Sequence, residues 1–177
     1  MNFQSLHPLQ AFYSAEGKPL PTIEIIDSRV VPEPYKSLLV HENDMTPTLE
    51  AFHKGPVHLQ VLGSRLNGHH YSREVILRMD GTNQAVEFGA IQLHLERFTA
   101  AAREEILREH LPVGHILEQY HIQHTSHPGA YLRITSDATI NALFGMQQSQ
   151  TLYGRRNTLL NPAAEPLAEI IEILPLA

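Results

Sequence analysis

One α+β domain built on an antiparallel sheet is the fold class this sequence predicts, and three observations predict it. Long runs with two-residue apolar alternation, separated by tight-turn dipeptides, read as hairpin strands. Short segments rich in helix formers and opened by capping residues stand between them. The 177 residues suit one folding unit, and no repeat, low-complexity tract or linker divides them. The whole chain, 1–177, is therefore read as a single domain, with 1–32 as an N-terminal arm and 33–177 as the core.

The arm carries four prolines and a weak apolar pattern, IEIIDSRVV, which suits a segment wrapped around a domain. From Glu33 to Lys54 the pattern turns helical, with two short helices broken at Asn43-Asp44, Thr46 as the second N-cap and Pro47 at the first helical position. VHLQVLGSRL and HHYSREVILRM flank Asn67-Gly68 and predict a hairpin with a type I′ turn. Asp80-Gly81 reverses the chain into QAVEFGAIQLHL, a third strand interrupted by Gly89, so the three strands form a meander. TAAAREEILREHL predicts a helix ending before Pro112, and PVGHILEQY a shorter one. AYLRIT reads as a strand, SDATINALFG as a helix capped by Ser136 or Asp137 and closed by Gly145, and TLYGRRNTLL and PLAEIIEIL as a closing hairpin around NPAAEP.

Composition removes several function classes. Without a cysteine there is no disulfide scaffold, thiolate nucleophile, iron–sulfur cluster or Cys-based zinc site. A net charge of −6 argues against a general nucleic-acid surface. No stretch approaches the roughly 18 apolar residues of a membrane-spanning helix, and MNFQSLHPLQ lacks the regions of a signal peptide. A cytoplasmic protein is expected. Neither a Walker loop, a GxGxxG fingerprint nor a GxSxG elbow is present. Histidine is frequent, at 12, and His110, His115, His121, His124 and His127 cluster in sequence. HEXXH is missing, however, and His121, His124 and His127 share a surface only on a helix that His-Pro-Gly would break. No metal is expected, and His69-His70 reads as a solvated loop feature.

Two anomalies remain. Tyr71, Arg73, Val75, Leu77 and Met79 share one strand face, which points Arg73 inward. An inward guanidinium needs a partner, either a carboxylate of the protein or one brought by a ligand. In LAEIIEIL, Glu169 and Glu172 lie on opposite parities, so at least one faces the interior, as a site acid or as a half-buried edge-strand glutamate.

END-Met45-Thr46 before a helix, YS-Arg73-EVIL, the Gly89 strand, Pro112-Val113-Gly114, and Tyr153-Gly154-Arg155-Arg156 followed by Glu172-Ile-Leu-Pro175 occur in that order over residues 35 to 175. In this set the chain resembles the chorismate pyruvate-lyase (4-hydroxybenzoate synthetase) family, in its shorter branch outside the ubiquinone-pathway enzymes. The resemblance implies a six-stranded antiparallel sheet with helices on one face, enclosing an internal ligand cavity. It implies a cofactor-independent carbon–oxygen lyase that eliminates pyruvate from chorismate to leave 4-hydroxybenzoate, with slow product release. Arg73 would hold the ring carboxylate and Glu172 the ring hydroxyl, with Met45, Gly89 and Val113 lining the cavity. Relatives carry leucine at Val113 and, in the ubiquinone-pathway enzyme, arginine at Ala90. Arg155 or Arg156 is then the candidate for the pyruvyl carboxylate, or else a clamp in the closing hairpin, and Glu169 is the fallback acid. Monomer and homodimer are both compatible with the chain. Two other functions share this cavity: an enzyme acting on a different small carboxylate, and a non-catalytic binder of small aromatic acids.

Overall fold

The strands assemble into one seven-stranded antiparallel sheet in the order β1-β5-β6-β7-β4-β3-β2. This computed structural model describes residues 6–175; residues 1–5 of the expected arm lie outside that range. The strands are β1 (Thr22–Ile26), β2 (Val57–Asn67), β3 (His70–Met79), β4 (Ala85–His94), β5 (Thr125–Thr135), β6 (Thr151–Leu160) and β7 (Pro166–Leu174). Six α-helices accompany them: α1 (Leu9–Ala15), α2 (Tyr35–Leu39), α3 (Met45–His53), α4 (Ala100–Arg108), α5 (Val113–Gln119) and α6 (Ala138–Phe144).

The sheet has seven strands, not the expected six. The additional strand comes from the arm, where TIEII pairs with β5 from Thr22↔Thr135 to Ile26↔Tyr131. Its hydrogen bonds cover what would otherwise be an open edge. β2, β3 and β4 form the expected meander. β4 then pairs with β7, because α4 and α5 carry the chain across one face and leave a place for the last strand between β4 and β6. A central strand is buried on both faces, which accounts for the nearly unbroken apolar run of β7.

Helices cover both faces, not one. Odd-numbered residues of β3 and β4 and even-numbered residues of β7 face α2 to α5, in two clusters that include Tyr71, Ile91 and Ile170 with Ile106 and Ile116, and Leu77 and Leu174 with Leu39 and Leu49. The opposite parities, Ile76, Phe88, Ala90, Ile171 and Ile173, pack on α1 and α6 through Phe12, Tyr13 and Ile140. Alternation allowed both faces to be apolar, but only the sheet order shows that the central strands need two covers.

Local chemistry sets the element ends. Thr99 accepts from the Ala102 N–H and Asp137 from that of Ile140, as N-caps do. α3 starts two residues earlier than expected, with Asp44 at its N-cap and Pro47 inside the first turn, where a missing N–H costs nothing. The β2–β3 hairpin differs by one. Asn67 pairs with His70, so Gly68-His69 form the loop, and of these only Gly68 has positive φ, at 59°. A type I′ turn would require both.

Candidate functional site

Three cross-strand rows form the floor of an internal cavity. One row is Arg73, Ile91, Ile170 and Asn157; the next is Val75, Gly89, Glu172 and Arg155; the third begins with Leu77 and Glu87. Gly89 contributes no side chain to the middle row, and the space this leaves lies between Arg73 on one side and Glu87 on the other. A Cβ at Gly89 would stand 3.2 Å from Glu87 Oε1 and 3.0 Å from the Ile171 carbonyl, so the floor tolerates only glycine without adjustment.

The roof is made by the first turns of α3 and α5. Asp44, Met45 and Thr46 meet Pro112, Val113 and Gly114 over the cavity. The two helices approach closely because a Cβ on Gly114 would lie 2.8 Å from the Thr46 side chain. His115 Nε2 to Glu50 at 3.0 Å and His124 Nε2 to Asp44 at 2.9 Å tie α5 and the segment after it to α3. The enclosed volume is about 50 Å³. That holds a few waters and is smaller than the ~150 Å³ that accommodates benzene, so an aromatic ligand requires the roof to move outward.

Arg73 is buried, and it donates from Nη2 to the Leu111 carbonyl at 3.0 Å. Its Nε and Nη1 have no acceptor among the described residues. Burial opposes its charge, while the neighbouring Tyr71 hydroxyl, ahead of the Glu109 carboxylate, favours it. A guanidinium in this condition can take an anion, since its planar fork suits a carboxylate and no carboxylate of the described residues is bonded to it.

Glu172 also lines the cavity, but it is already engaged. Its carboxylate accepts from Arg155 Nε, directly across the β6–β7 ladder. Arg155 is fully buried and also donates to the carbonyls of Leu39, His41 and Asn43, at 3.3, 3.0 and 3.1 Å. It therefore anchors the α2–α3 linker, and it does not line the cavity. Arg156 is on the other parity of β6, with its guanidinium 3.1 Å from where a Gly129 Cβ would be, and does not line it either. Neither arginine meets the expectation of a second carboxylate site. Ala90 supplies no substitute: its side chain packs in the opposite core with Phe88 and Ile171. Glu169 likewise faces away and accepts from His94 Nε2 at 2.8 Å.

Met45, Arg73, Gly89, Val113 and Glu172 are thus brought to one cavity, and Arg155 and Arg156 are not. Sequence reasoning missed Glu87. Its carboxyl is buried beside Glu172, with Oε2 lacking a partner. Burial, then the Glu172 charge, raise its pKa well above the usual carboxylate range, with Arg155 opposing. A carboxyl that keeps its proton can donate a hydrogen bond. The signal was available, for Glu87 shares its strand parity with Gly89 and Ile91.

The clustered histidines do not converge. Residues 120–121 form a turn, 122–124 belong to no helix or strand and Thr125 begins β5, so His121, His124 and His127 share no helical surface. His124 and His115 serve the roof instead.

No protein-family model matches the sequence, and no curated protein matches it. Solved structures do match the fold. The effector domain of PhnF from Mycobacterium smegmatis superposes with a TM-score of 0.54 at 11% identity, over 74% of this chain and 87% of that one. A second PhnF structure gives 0.56 at 10%, over 77% and 65%. YydK from Bacillus subtilis, titled a possible transcriptional regulator, gives 0.51 at 8%, over 67% and 58%. The fold is the chorismate lyase-like one of bacterial effector domains. At these identities the likeness concerns the fold alone, and the chain spans less than two thirds of the longer PhnF and YydK chains. No helix among the described residues is long and apolar enough to cross a membrane.

Proposed function

We propose that this chain is a binding protein for a small organic acid with one carboxylate and a hydrogen-bonding group at its far end. The observation that carries the reading is Arg73, buried in the cavity wall with two N–H groups unsatisfied. The ligand carboxylate accepts from Nε or from Nη1, each of which shares one edge of the guanidinium with Nη2, and its distal group meets the Glu87 carboxyl or the Glu172 carboxylate. Glu87 donates to a hydroxyl oxygen, and Glu172 accepts from a hydroxyl proton. The walls between, Leu59, Val75, Leu77, Ile91 and Ile170, are apolar and suit a ring. The fold shared with a PhnF effector domain supports binding as the task.

Charge favours this reading over turnover of chorismate. Arg73 is the single cationic side chain among the described residues of the lining, whereas chorismate carries two carboxylates. The second would lie in the cavity without a counter-charge and beside Glu172, at considerable desolvation cost. 4-Hydroxybenzoate has one carboxylate and a para hydroxyl.

The lyase is the second reading, favoured by the gathering of Met45, Arg73, Gly89, Val113 and Glu172 around one space. In it, chorismate loses its enolpyruvyl ether as pyruvate while the ring becomes aromatic, and the same contacts retain the product. Calorimetric titration with 4-hydroxybenzoate and benzoate, beside incubation with chorismate and a pyruvate assay, separates the two. The expected result is saturable binding, tighter for 4-hydroxybenzoate, with no pyruvate above the spontaneous rate. Enzymatic pyruvate release would establish the lyase. Binding unchanged by Arg73→Met would overturn both.

A further inference from the structure

On the opposite face of the sheet from the cavity, where β3 begins and β4 ends, we infer a divalent-metal site formed by His70, His94 and Glu96. His70 and His94 are directly paired across the β3–β4 ladder, with ring centroids 4.8 Å apart and planes at 84°. Glu96 follows in the single 3₁₀ turn Leu95–Arg97. One ligand atom from each residue lies within 4.8 Å of the other two, and His94 Nδ1 is 3.9 Å from Glu96 Oε1.

Proximity alone would not make a site, since side chains of this kind often meet at a surface. The deciding feature is the state of His94. Its side chain is only 10% exposed. Nε2 lies 2.8 Å from Glu169 Oε2, and a carboxylate only accepts, so the proton is on Nε2. In the neutral imidazole Nδ1 then carries the lone pair; it is buried and has no hydrogen-bond partner among the described residues. A carboxylate holding one imidazole nitrogen so that the other presents its lone pair is the arrangement that supports metal-bound histidines.

The surrounding backbone is fixed. Leu95 N–H donates to the His69 carbonyl at 2.8 Å, which locks the hairpin loop to the 3₁₀ turn. Arg97 donates to the Pro166 carbonyl, and its Nε stands 3.9 Å from Glu96 Oε1, a contact that a bound ion would compete with. His70 and Glu96 are exposed and free to close on an ion, whereas His94 is fixed. Two imidazoles and one carboxylate with open positions suit a borderline ion such as Zn²⁺, Co²⁺ or Ni²⁺ rather than Ca²⁺ or Mg²⁺. A bound ion would join the β2–β3 hairpin to the end of β4, without contact with the acid-binding cavity.

The test is titration of the intact, metal-stripped chain with Co²⁺, followed by visible absorption, and with Zn²⁺, followed by calorimetry. One equivalent should bind at micromolar or tighter concentration, and Zn²⁺ should raise the thermal midpoint until a chelator is added. His70→Ala and Glu96→Gln alter exposed side chains and should each weaken binding at least tenfold with the apo midpoint unchanged. Glu169→Gln should weaken it by a smaller factor, as a positioning residue does. His127→Ala should leave the tight equivalent intact. Failure to bind below millimolar metal would overturn the site. So would a tight equivalent that survives His70→Ala and Glu96→Gln, which would place the ion among the other histidines.

Discussion

Two N–H groups of Arg73 have nothing to donate to, and the fold keeps them so at a cost. An unsatisfied buried donor costs about 1–3 kcal/mol, and a charged one more. Replacement by a methionine of similar reach should therefore leave stability equal or higher while removing ligand binding. The expected loss of affinity is about 2–5 kcal/mol, or roughly 30-fold and upward, with urea midpoints recorded beside calorimetry. A variant that both unfolds and still binds would contradict this account. Glu87 offers a finer measurement. Glu87→Gln keeps a donor at the far end of the cavity, whereas Glu87→Leu removes it. The preference for 4-hydroxybenzoate over benzoate should survive the first change and disappear in the second. Both residues follow from strand parity, but parity does not say whether an inward charge meets a partner. For Arg155 and Glu172 it does, and for Arg73 it does not.

α3 and α5 are the elements that must move for a ring to enter, and they touch where Gly114 lies against Thr46. Gly114→Ala places a methyl group 2.8 Å from that side chain and should spread the two helices. Faster association and faster release in stopped-flow binding are the expected outcome, with release affected more. The roof should also respond to pH. The hydrogen bond to Asp44, ahead of the backbone contact with Ile122, raises the His124 pKa above 6.5, and burial opposes it. A raised folded-state value means that the protonated pair contributes its full stability below about pH 6.5, and loses it as pH rises through the folded value. Amide exchange in α3 and α5, corrected for intrinsic rate, should be slower at pH 6 than at pH 8.5, and His124→Gln should flatten the difference. The helices and their caps are readable from Thr99, Asp137 and Gly145. Their packing is not, and α1 in the arm was not expected, because nothing local in α1 or α6 marks them for the sheet face opposite α4 and α5.

For the molecule as a whole, Arg155 connects the cavity to the fold, with Glu172 on one side and, on the other, the carbonyls of Leu39 at the end of α2 and of His41 and Asn43 in the linker to α3. Arg155→Met removes one member of a buried ion pair and leaves Glu172 charged without compensation. A loss of about 3–5 kcal/mol in chemical denaturation is expected. The sequence by itself determined the α+β class, the meander, the closing hairpin, the inward Arg73 and the absence of cysteine chemistry. Each of these depends on residue type and spacing of two or 3.6, which are local properties of the chain. Only the tertiary structure decided that TIEII adds a seventh strand, that β7 is central, that Arg155 is a strut, and that Glu87 shares the cavity while Glu169 holds His94. Those outcomes depend on which strands become neighbours and on which charges find counter-charges once water is excluded. Pairing across 17 residues, as between Arg155 and Glu172, leaves no periodic trace in the sequence.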